Sequence, residues 1–247
     1  MEPHHGQVMG NGRYQLTHKI GEGGMATVYL AQDKRLGTHV VVKKNSQSQT
    51  LADRQQFEAE ATVMVKIGEN PDRPISLPIV RDYFTEPDGG QYLVMQYIEG
   101  EDLCSLVQRT GALDEKAVLY WLAQLLDALE FLHQQTPPII HCDIKPHNIR
   151  VNASGDRAYL VDFGIANGRG GYGTPGYAPL EQYGGKVSTQ SDIYALGATL
   201  YVLLSGTAPD AMFPADQLED GSVSMPPLVN KISAVLRTVV VKAMALQ

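Results

Sequence analysis

The chain has 247 residues, of which 43% are hydrophobic and 19% are charged, and its formal net charge is −7. This composition excludes an intrinsically disordered chain, and the length suits one large domain or two lobes. The acidic balance, without a run of basic residues, argues against a nucleic-acid-binding protein. Two cysteines, Cys104 and Cys142, imply no disulfide framework and fit a reducing compartment such as the cytoplasm.

The first half of the chain predicts a small β-rich unit over residues 13–97, preceded by a flexible polar tail over residues 1–12. Its β-rich runs are separated by glycine- and aspartate-containing turns. The predicted strands are 14–20, 27–31, 38–44, 79–85 and 92–97. One segment, 51–66, instead has helical spacing, with an apolar stripe formed by Phe57, Ala61, Met64 and Val65.

The second half, residues 98–247, predicts a larger and mainly helical unit. Asp114 is a suitable N-cap for a helix over residues 115–135. The residues expected on its buried face are Val118, Trp121, Leu122, Leu125, Leu129 and Leu132. Further helices are predicted at 191–205 and 232–245, so the fold class is α+β with two lobes.

No segment predicts a membrane span within this chain. The longest apolar stretch, 193–204, is too short to cross a bilayer, and the N-terminus has no apolar signal region. We therefore expect a cytoplasmic location, either for the chain alone or for the cytosolic domain of a longer protein.

A glycine turn, Gly21-Glu22-Gly23-Gly24, lies between the first two predicted strands. Such a turn allows backbone N–H groups to approach phosphates closely, although an ordinary hairpin is the simpler alternative. It is not a Walker loop, because no Gly-Lys-Ser/Thr follows. It is not a dinucleotide fingerprint, because a strand follows rather than a helix.

A second motif places Asp143, Lys145 and Asn148 within six residues, and Asp162-Phe163-Gly164 begins fourteen residues after Asn148. Phosphoryl transfer from a magnesium nucleotide needs a carboxylate that orients a hydroxyl, a cation near the moving phosphoryl group, and oxygen ligands for the metal. Each residue alone would be an ordinary polar loop residue. The ordered set predicts a phosphotransfer site.

These motifs, in this order, resemble the catalytic core of protein kinases. The segments 21–26 and 178–182 are most similar to bacterial kinases of the eukaryotic-like serine/threonine class, and the match covers about residues 13–247. The resemblance implies a bilobal kinase fold. It also implies ATP with Mg²⁺ or Mn²⁺ as cofactors and serine or threonine residues of proteins as substrates.

The resemblance also implies individual roles around the nucleotide. Lys43 would bind the phosphates and pair with Glu60, with Lys44 as the alternative cation. Val41 stands where the family usually has alanine, and this larger side chain predicts a tighter nucleotide pocket. The residues expected to bind the nucleotide are Ile20, Gly21, Gly23, Gly24, Val28, Val41, Lys43, Met95, Gln96, Ile98, Asn148 and Asp162.

At the catalytic end, the resemblance implies that Asp143 is the base and that Lys145 neutralises the γ-phosphate. Asn148 and Asp162 would hold the metal. Thr174 would contact Asp143 and Lys145. The carboxylate of Asp192 would brace the backbone of the catalytic loop.

Besides Val41, three departures from the family pattern carry expectations of their own. Cys142 stands where most members have the arginine that meets an activation-loop phosphate, and Tyr172 is the only hydroxyl between residues 164 and 173. We therefore expect activity without activation-loop phosphorylation; a redox role for Cys142 is the weaker alternative. Leu180 replaces a proline, which predicts different local packing.

The end of the chain is the third departure. Glu181 normally pairs with an arginine in a helix later than the last one predicted here, so we expect a kinase domain that lacks its last helix or helices, or a differently built base. Apolar surface would then be exposed at Val240, Ala243 and Met244.

Two other function classes remain open from the residues. A pseudokinase-like scaffold would bind ATP and signal by shape, and a small-molecule phosphotransferase of similar fold would lack the glycine loop and the segment 174–181 that this chain has. Formation of a homodimer and autophosphorylation are also left open.

Overall fold

The structure, a computed structural model, describes residues 5–22, 26–46, 50–162, 173–207, 216–217, 223–224 and 232–245. The chain forms two compact units. The first runs to Arg73 and resumes over Pro78–Ile98, and the second comprises Pro74–Leu77 and the chain from Glu99. One unit is built on an antiparallel sheet and the other mainly on helices, as the α+β expectation requires.

The first unit contains a six-stranded antiparallel sheet and one long helix. The strands are β1 (Val8–Met9), β2 (Tyr14–Glu22), β3 (Ala26–Asp33), β4 (Thr38–Asn45), β5 (Val80–Thr85) and β6 (Gln91–Gln96), and helix α1 is Leu51–Glu69. Their order in the sheet is β1-β2-β3-β4-β6-β5. Alternation along the strands sends one set of side chains, including Tyr14, Leu16, Val40 and Val42, into a shared core.

The expectation of a flexible tail over residues 1–12 is wrong for Val8–Met9. These two residues form β1, which pairs with Gln15 and Tyr14 of β2. Met9 is only 2% exposed, because its apolar side chain joins the core beside Tyr14. One buried methionine therefore adds this part of the polar segment to the sheet.

A partly buried polar cluster of Arg13, Tyr14, Asp33 and Asp82 links strands β2, β3 and β5 of this sheet. The Arg13 guanidinium donates to Asp33 Oδ2 at 2.7 Å and to Asp82 Oδ2 at 3.4 Å, and the Tyr14 hydroxyl donates to the same Asp82 oxygen at 2.8 Å. Asp33 also accepts the backbone N–H of Arg35 at 2.9 Å. The hydrogen bond from Arg13 holds the pKa of the buried Asp33 carboxyl below its usual value.

The second unit combines helices with two small antiparallel sheets. Its helices are α2 (Leu103–Thr110), α3 (Glu115–His133), α4 (Leu180–Tyr183), α5 (Thr189–Ser205) and α6 (Ala234–Met244). Its strands are β7 (Gly100–Asp102), β8 (Ile149–Asn152), β9 (Ala158–Leu160), β10 (Asp216–Gln217) and β11 (Val223–Ser224). A 3₁₀ turn over Pro146–Asn148 leads into β8, and the sheet order is β7-β8-β9.

Helix α3 agrees with its sequence pattern. Asp114 caps it by accepting the backbone N–H groups of Lys116 and Ala117, as expected. All six residues predicted for the buried face are buried. Helices α2 and α4 were missed, although Asp102 as an N-cap and Gly111 at the end of α2 are ordinary sequence signals.

Across the described residues, no helix has both the length and the apolar character needed to cross a bilayer.

The predicted exposure at the end of the last helix is wrong for Val240 and Met244, whereas Ala243 is half-buried. Val240 and Met244 of α6 are 0% and 1% exposed, because they pack against α5. Gly197 of α5 permits this approach, since a Cβ added there would lie 2.7 Å from Ala243 Cβ. The exposed large apolar residues of α6 are instead Val235 and Val239.

We expect Gly197→Ala to lower the free energy of unfolding by about 1–2 kcal/mol, because overpacking against α6 outweighs the gain in helix propensity. Urea unfolding followed by circular dichroism measures this change. Gly68→Ala is the matched control: its added Cβ would have its nearest neighbour at 3.6 Å, so the variant should be unchanged or stabilised by about 0.5–1 kcal/mol. Equal effects of the two substitutions would contradict the packing argument.

Candidate active site

The loop over residues 141–148, expected to be the catalytic loop, is connected to the β7-β8-β9 sheet of the second unit. The backbone N–H of Asn148 donates to the Lys145 carbonyl at 2.9 Å, and the Asn148 carbonyl accepts the N–H of Val161 at 2.8 Å. The second bond brings the residue after Val161, Asp162, next to the loop. Asp162 has φ +61°, a left-handed conformation that is uncommon for a residue other than glycine.

The carboxylate of Asp143 is held by three side chains. Thr174 Oγ1 donates to Oδ1 at 2.7 Å, Lys145 Nζ lies 2.8 Å from Oδ2, and Asn148 Nδ2 donates to Oδ2 at 2.9 Å. Lys145 Nζ also donates to Thr174 Oγ1 at 2.8 Å. A hydroxyl is thus bound between a carboxylate and an ammonium group, an arrangement that can orient a hydroxyl and stabilise negative charge beside it.

Asn148 and Asp162 have the chemistry of metal ligands. The amide nitrogen of Asn148 is directed to Asp143, and its side-chain oxygen and the Asp162 carboxylate are hard oxygen donors suited to Mg²⁺. Among the described residues, no group of three or more His, Cys, Asp or Glu could hold a metal. Sites in which a magnesium ion is shared with substrate phosphates commonly need only one or two protein ligands, so these two residues fit.

Asp192, in the first turn of α5, binds the backbone at the start of this loop. Its Oδ2 accepts the backbone N–H of His141 and its Oδ1 accepts that of Cys142, both at 2.9 Å. His133 Nε2 of α3 lies 2.9 Å from Oδ2. The expected bracing by Asp192 is confirmed, whereas sequence reasoning missed His133, for which no local pattern gave a signal.

His141 is fully buried beside this carboxylate. Burial lowers the pKa of its imidazole below the usual value, although the nearby carboxylates act in the opposite direction. Its Nδ1 lies 3.3 Å from the backbone nitrogen of Asp143 and accepts that N–H. The ring is therefore a neutral acceptor that helps to fix the backbone of Asp143.

Five of the expected nucleotide-binding residues share one face of the sheet: Gly21, Val28, Val41, Lys43 and Met95. Lys43 pairs with Val28 of β3, and Val41 pairs with Met95 of β6. Residues directly opposite one another in antiparallel strands project to the same face, which here is the face opposite the core residues Val40 and Val42. Gly21 of β2 pairs with Val28 and therefore lies on the same face of the sheet, beside Val28.

Other residues expected at the nucleotide differ in their surroundings. Lys43 is 8% exposed and therefore largely buried, whereas Ile20 of β2 is 43% exposed. The backbone N–H of Gln96 already donates to the Ile79 carbonyl at 2.8 Å, so a ligand at Gln96 would have to use its carbonyl. Ile98 is buried.

Several residues singled out in the sequence, among them expected site residues, lie outside the described part of the chain. These are Gly23, Gly24, Phe163, Tyr172 and the side chain of Glu60, whose backbone belongs to α1. The expected pair between Lys43 and Glu60 therefore stays a prediction.

Comparison with known families assigns the fold. A model of the protein kinase domain matches residues 14–227. The chain therefore belongs to the protein kinase family, and the expected bilobal kinase fold is confirmed.

The relatives of this chain belong to the bacterial serine/threonine class. It is 33% identical to serine/threonine-protein kinase B of Synechocystis sp. over 81% of this chain and 38% of that protein. It is 32% identical to PknA of Nostoc sp. (83% and 39%) and 35% identical to PrkC of Bacillus subtilis (81% and 31%). The resemblance to bacterial serine/threonine kinases is confirmed. The chain spans less than half the length of these relatives.

We expect Asp192→Asn to lower the free energy of unfolding by about 3 kcal/mol, because one acceptor oxygen is replaced by an amide that faces backbone donors. Urea unfolding measures the loss. Asp127→Asn, the same change at an exposed position of α3, is the control and should leave stability within about 0.5 kcal/mol. Similar stability of the two variants would contradict the bracing role of Asp192.

Proposed function

We propose that this chain transfers the γ-phosphate of ATP to serine and threonine hydroxyls of protein substrates, with Mg²⁺ or Mn²⁺ as the metal. The observation that carries the proposal is the contact of Asp143 with Lys145, Asn148 and Thr174. The family and the names of the relatives support it.

Each side chain then has a defined task. Asp143 orients the attacking hydroxyl and accepts its proton, and Lys145 stabilises the charge on the transferred group. Thr174 keeps these two side chains at a fixed separation through its single hydroxyl. Asn148 and Asp162 would hold the metal, which when bound neutralises phosphate charge.

The sheet face of the first unit supports the nucleotide part of the proposal. Lys43 is a buried cation on a face that also carries the apolar side chains of Val28, Val41 and Met95. An apolar surface with one cation suits an adenine ring joined to a phosphate chain. Backbone groups around Gly21 would approach the phosphates, and Glu60 would hold the Lys43 ammonium in place.

Asp143→Asn tests the proposal. Transfer of labelled γ-phosphate to a basic protein should fall at least about 100-fold, because the amide cannot accept the proton, while ATP binding is retained. Asp127→Asn serves as the control and should transfer phosphate at the wild-type rate. Unchanged transfer by Asp143→Asn would remove Asp143 from its role. Binding of Mg-ATP without transfer by the wild-type chain would favour the scaffold alternative.

We further propose that activity does not require phosphorylation of the activation loop. Cys142 offers no positive charge to a phosphate and is only 6% exposed. The loop around it is held instead by Asp192, and Asp143 is held by Thr174. These contacts need no added phosphate.

Phosphatase treatment, with complete removal of phosphate verified by mass spectrometry, should leave the transfer rate within about twofold of the untreated chain, since no charge-assisted phosphate contact is lost. A mock-treated sample controls for handling. A loss of about tenfold or more, reversed by incubation with Mg-ATP, would contradict this proposal.

A further inference from the structure

Gln182 of α4 is a buried polar residue whose side chain contacts the backbone of Cys142. It is 1% exposed, and its Nε2 donates to the backbone carbonyl of Cys142 at 2.7 Å. The backbone of Gln182 is itself held in the turn, since its N–H donates to the Pro179 carbonyl and its carbonyl accepts the N–H of Gly185, both at 3.1 Å. The amide is therefore presented from a fixed position.

The residue that receives this bond is constrained from two sides. The N–H of Cys142 donates to Asp192 Oδ1 at 2.9 Å, and its carbonyl accepts from Gln182. Cys142 has φ +66°, in the left-handed region. A residue other than glycine adopts this conformation when neighbouring groups fix its backbone. Here the buried side chains of Asp192 and Gln182 fix the backbone of Cys142. The next residue in the chain is Asp143.

The segment that carries Gln182 also carries Thr174. The Thr174 carbonyl accepts the N–H groups of Tyr177 and Ala178 at 3.0 and 3.1 Å, so residues 174–178 form a compact turn just before α4. This segment consequently contacts the catalytic loop at two points. Thr174 binds the carboxylate of Asp143. Gln182 binds the carbonyl of Cys142, which directly precedes the backbone nitrogen of Asp143.

Close packing at Gly173 supports the same arrangement. A Cβ at this position would lie 2.3 Å from Ala178 Cβ and 3.0 Å from Gln182 Nε2. Such distances are too short for a side chain, so a glycine is needed for the segment to fold against Gln182 without displacing its amide.

We propose that Gln182 is a positioning residue for phosphotransfer: its buried amide, held against the Cys142 carbonyl, sets the orientation of Asp143 relative to the segment that carries Thr174. This inference rests on the proposed kinase activity. Loss of this bond would loosen the Cys142 carbonyl and the Asp143 backbone that follows it, and the carboxylate would be held less firmly in its orientation toward the substrate hydroxyl.

Gln182→Met is the first test, because methionine has a similar length and volume but no donor. We expect kcat for transfer to a serine-containing peptide to fall about five- to tenfold, with KM for ATP changed less than about twofold. A residue that only supported folding would alter the fraction of folded protein, seen by circular dichroism, rather than kcat per folded molecule.

Gln182→Glu gives a second, internal test by pH. The ionised glutamate side chain cannot donate a hydrogen bond and repels the Cys142 carbonyl. The protonated side chain has an O–H group that can donate to this carbonyl. Burial should raise the pKa of the introduced carboxyl, so the loss of kcat relative to wild type should be larger at about pH 8.5 than at about pH 6. Both measurements use one folded preparation.

Gln108→Glu makes the same chemical change at an exposed position of α2 and should keep the wild-type kcat at both pH values. Wild-type kcat in both Gln182 variants, or a loss in Gln182→Glu that is equal at the two pH values, would overturn the positioning role. A loss explained entirely by unfolded protein would overturn it as well. Absence of transfer by the wild-type chain and Gln108→Glu would instead refute the proposed kinase activity.

Discussion

The buried carboxylate of Asp192 is the constraint on which the catalytic loop depends. A charged group with no access to water must be satisfied by protein donors, and here the backbone N–H groups of His141 and Cys142 supply two of them. Those bonds require the chain to turn at Cys142 with a positive φ, which directs the following residue, Asp143, toward Thr174. The geometry of Asp143, the proposed base, thus originates in a helix that begins 46 residues later.

Strand pairing plays the corresponding role in the first unit. The β3-β4 and β4-β6 registers bring together side chains from three separate strands. Because alternation sends Val40 and Val42 to the core, it necessarily sends Val41 and Lys43 to the other face. A shift of one residue in register would reverse both sets, so the core and the proposed nucleotide face are specified by the same pairing.

Much of the secondary structure was predictable because the periodicity is local. The N-cap Asp114, the buried face of α3 and the antiparallel strands follow from spacing and turn residues alone. The errors arose where a distant segment covers an apolar residue. Met9 is buried by the sheet core and Val240 by α5, and neither neighbour can be read from the adjoining sequence. Helix α2 is a different case: its capping signals at Asp102 and Gly111 lie within the local sequence, so no distant segment was needed to predict it.

The sequence by itself determined which chemical groups are available and in what order, because the spacing of Asp143, Lys145 and Asn148 within one loop is a local property. Only the tertiary structure decided that Gln182 contacts the backbone of that loop and that His133 contacts Asp192, whose own contact with the loop the family resemblance had implied. These contacts join residues 40–59 positions apart in the chain. Such contacts depend on how whole helices pack, and helix packing is set by the summed burial of many side chains rather than by a short pattern.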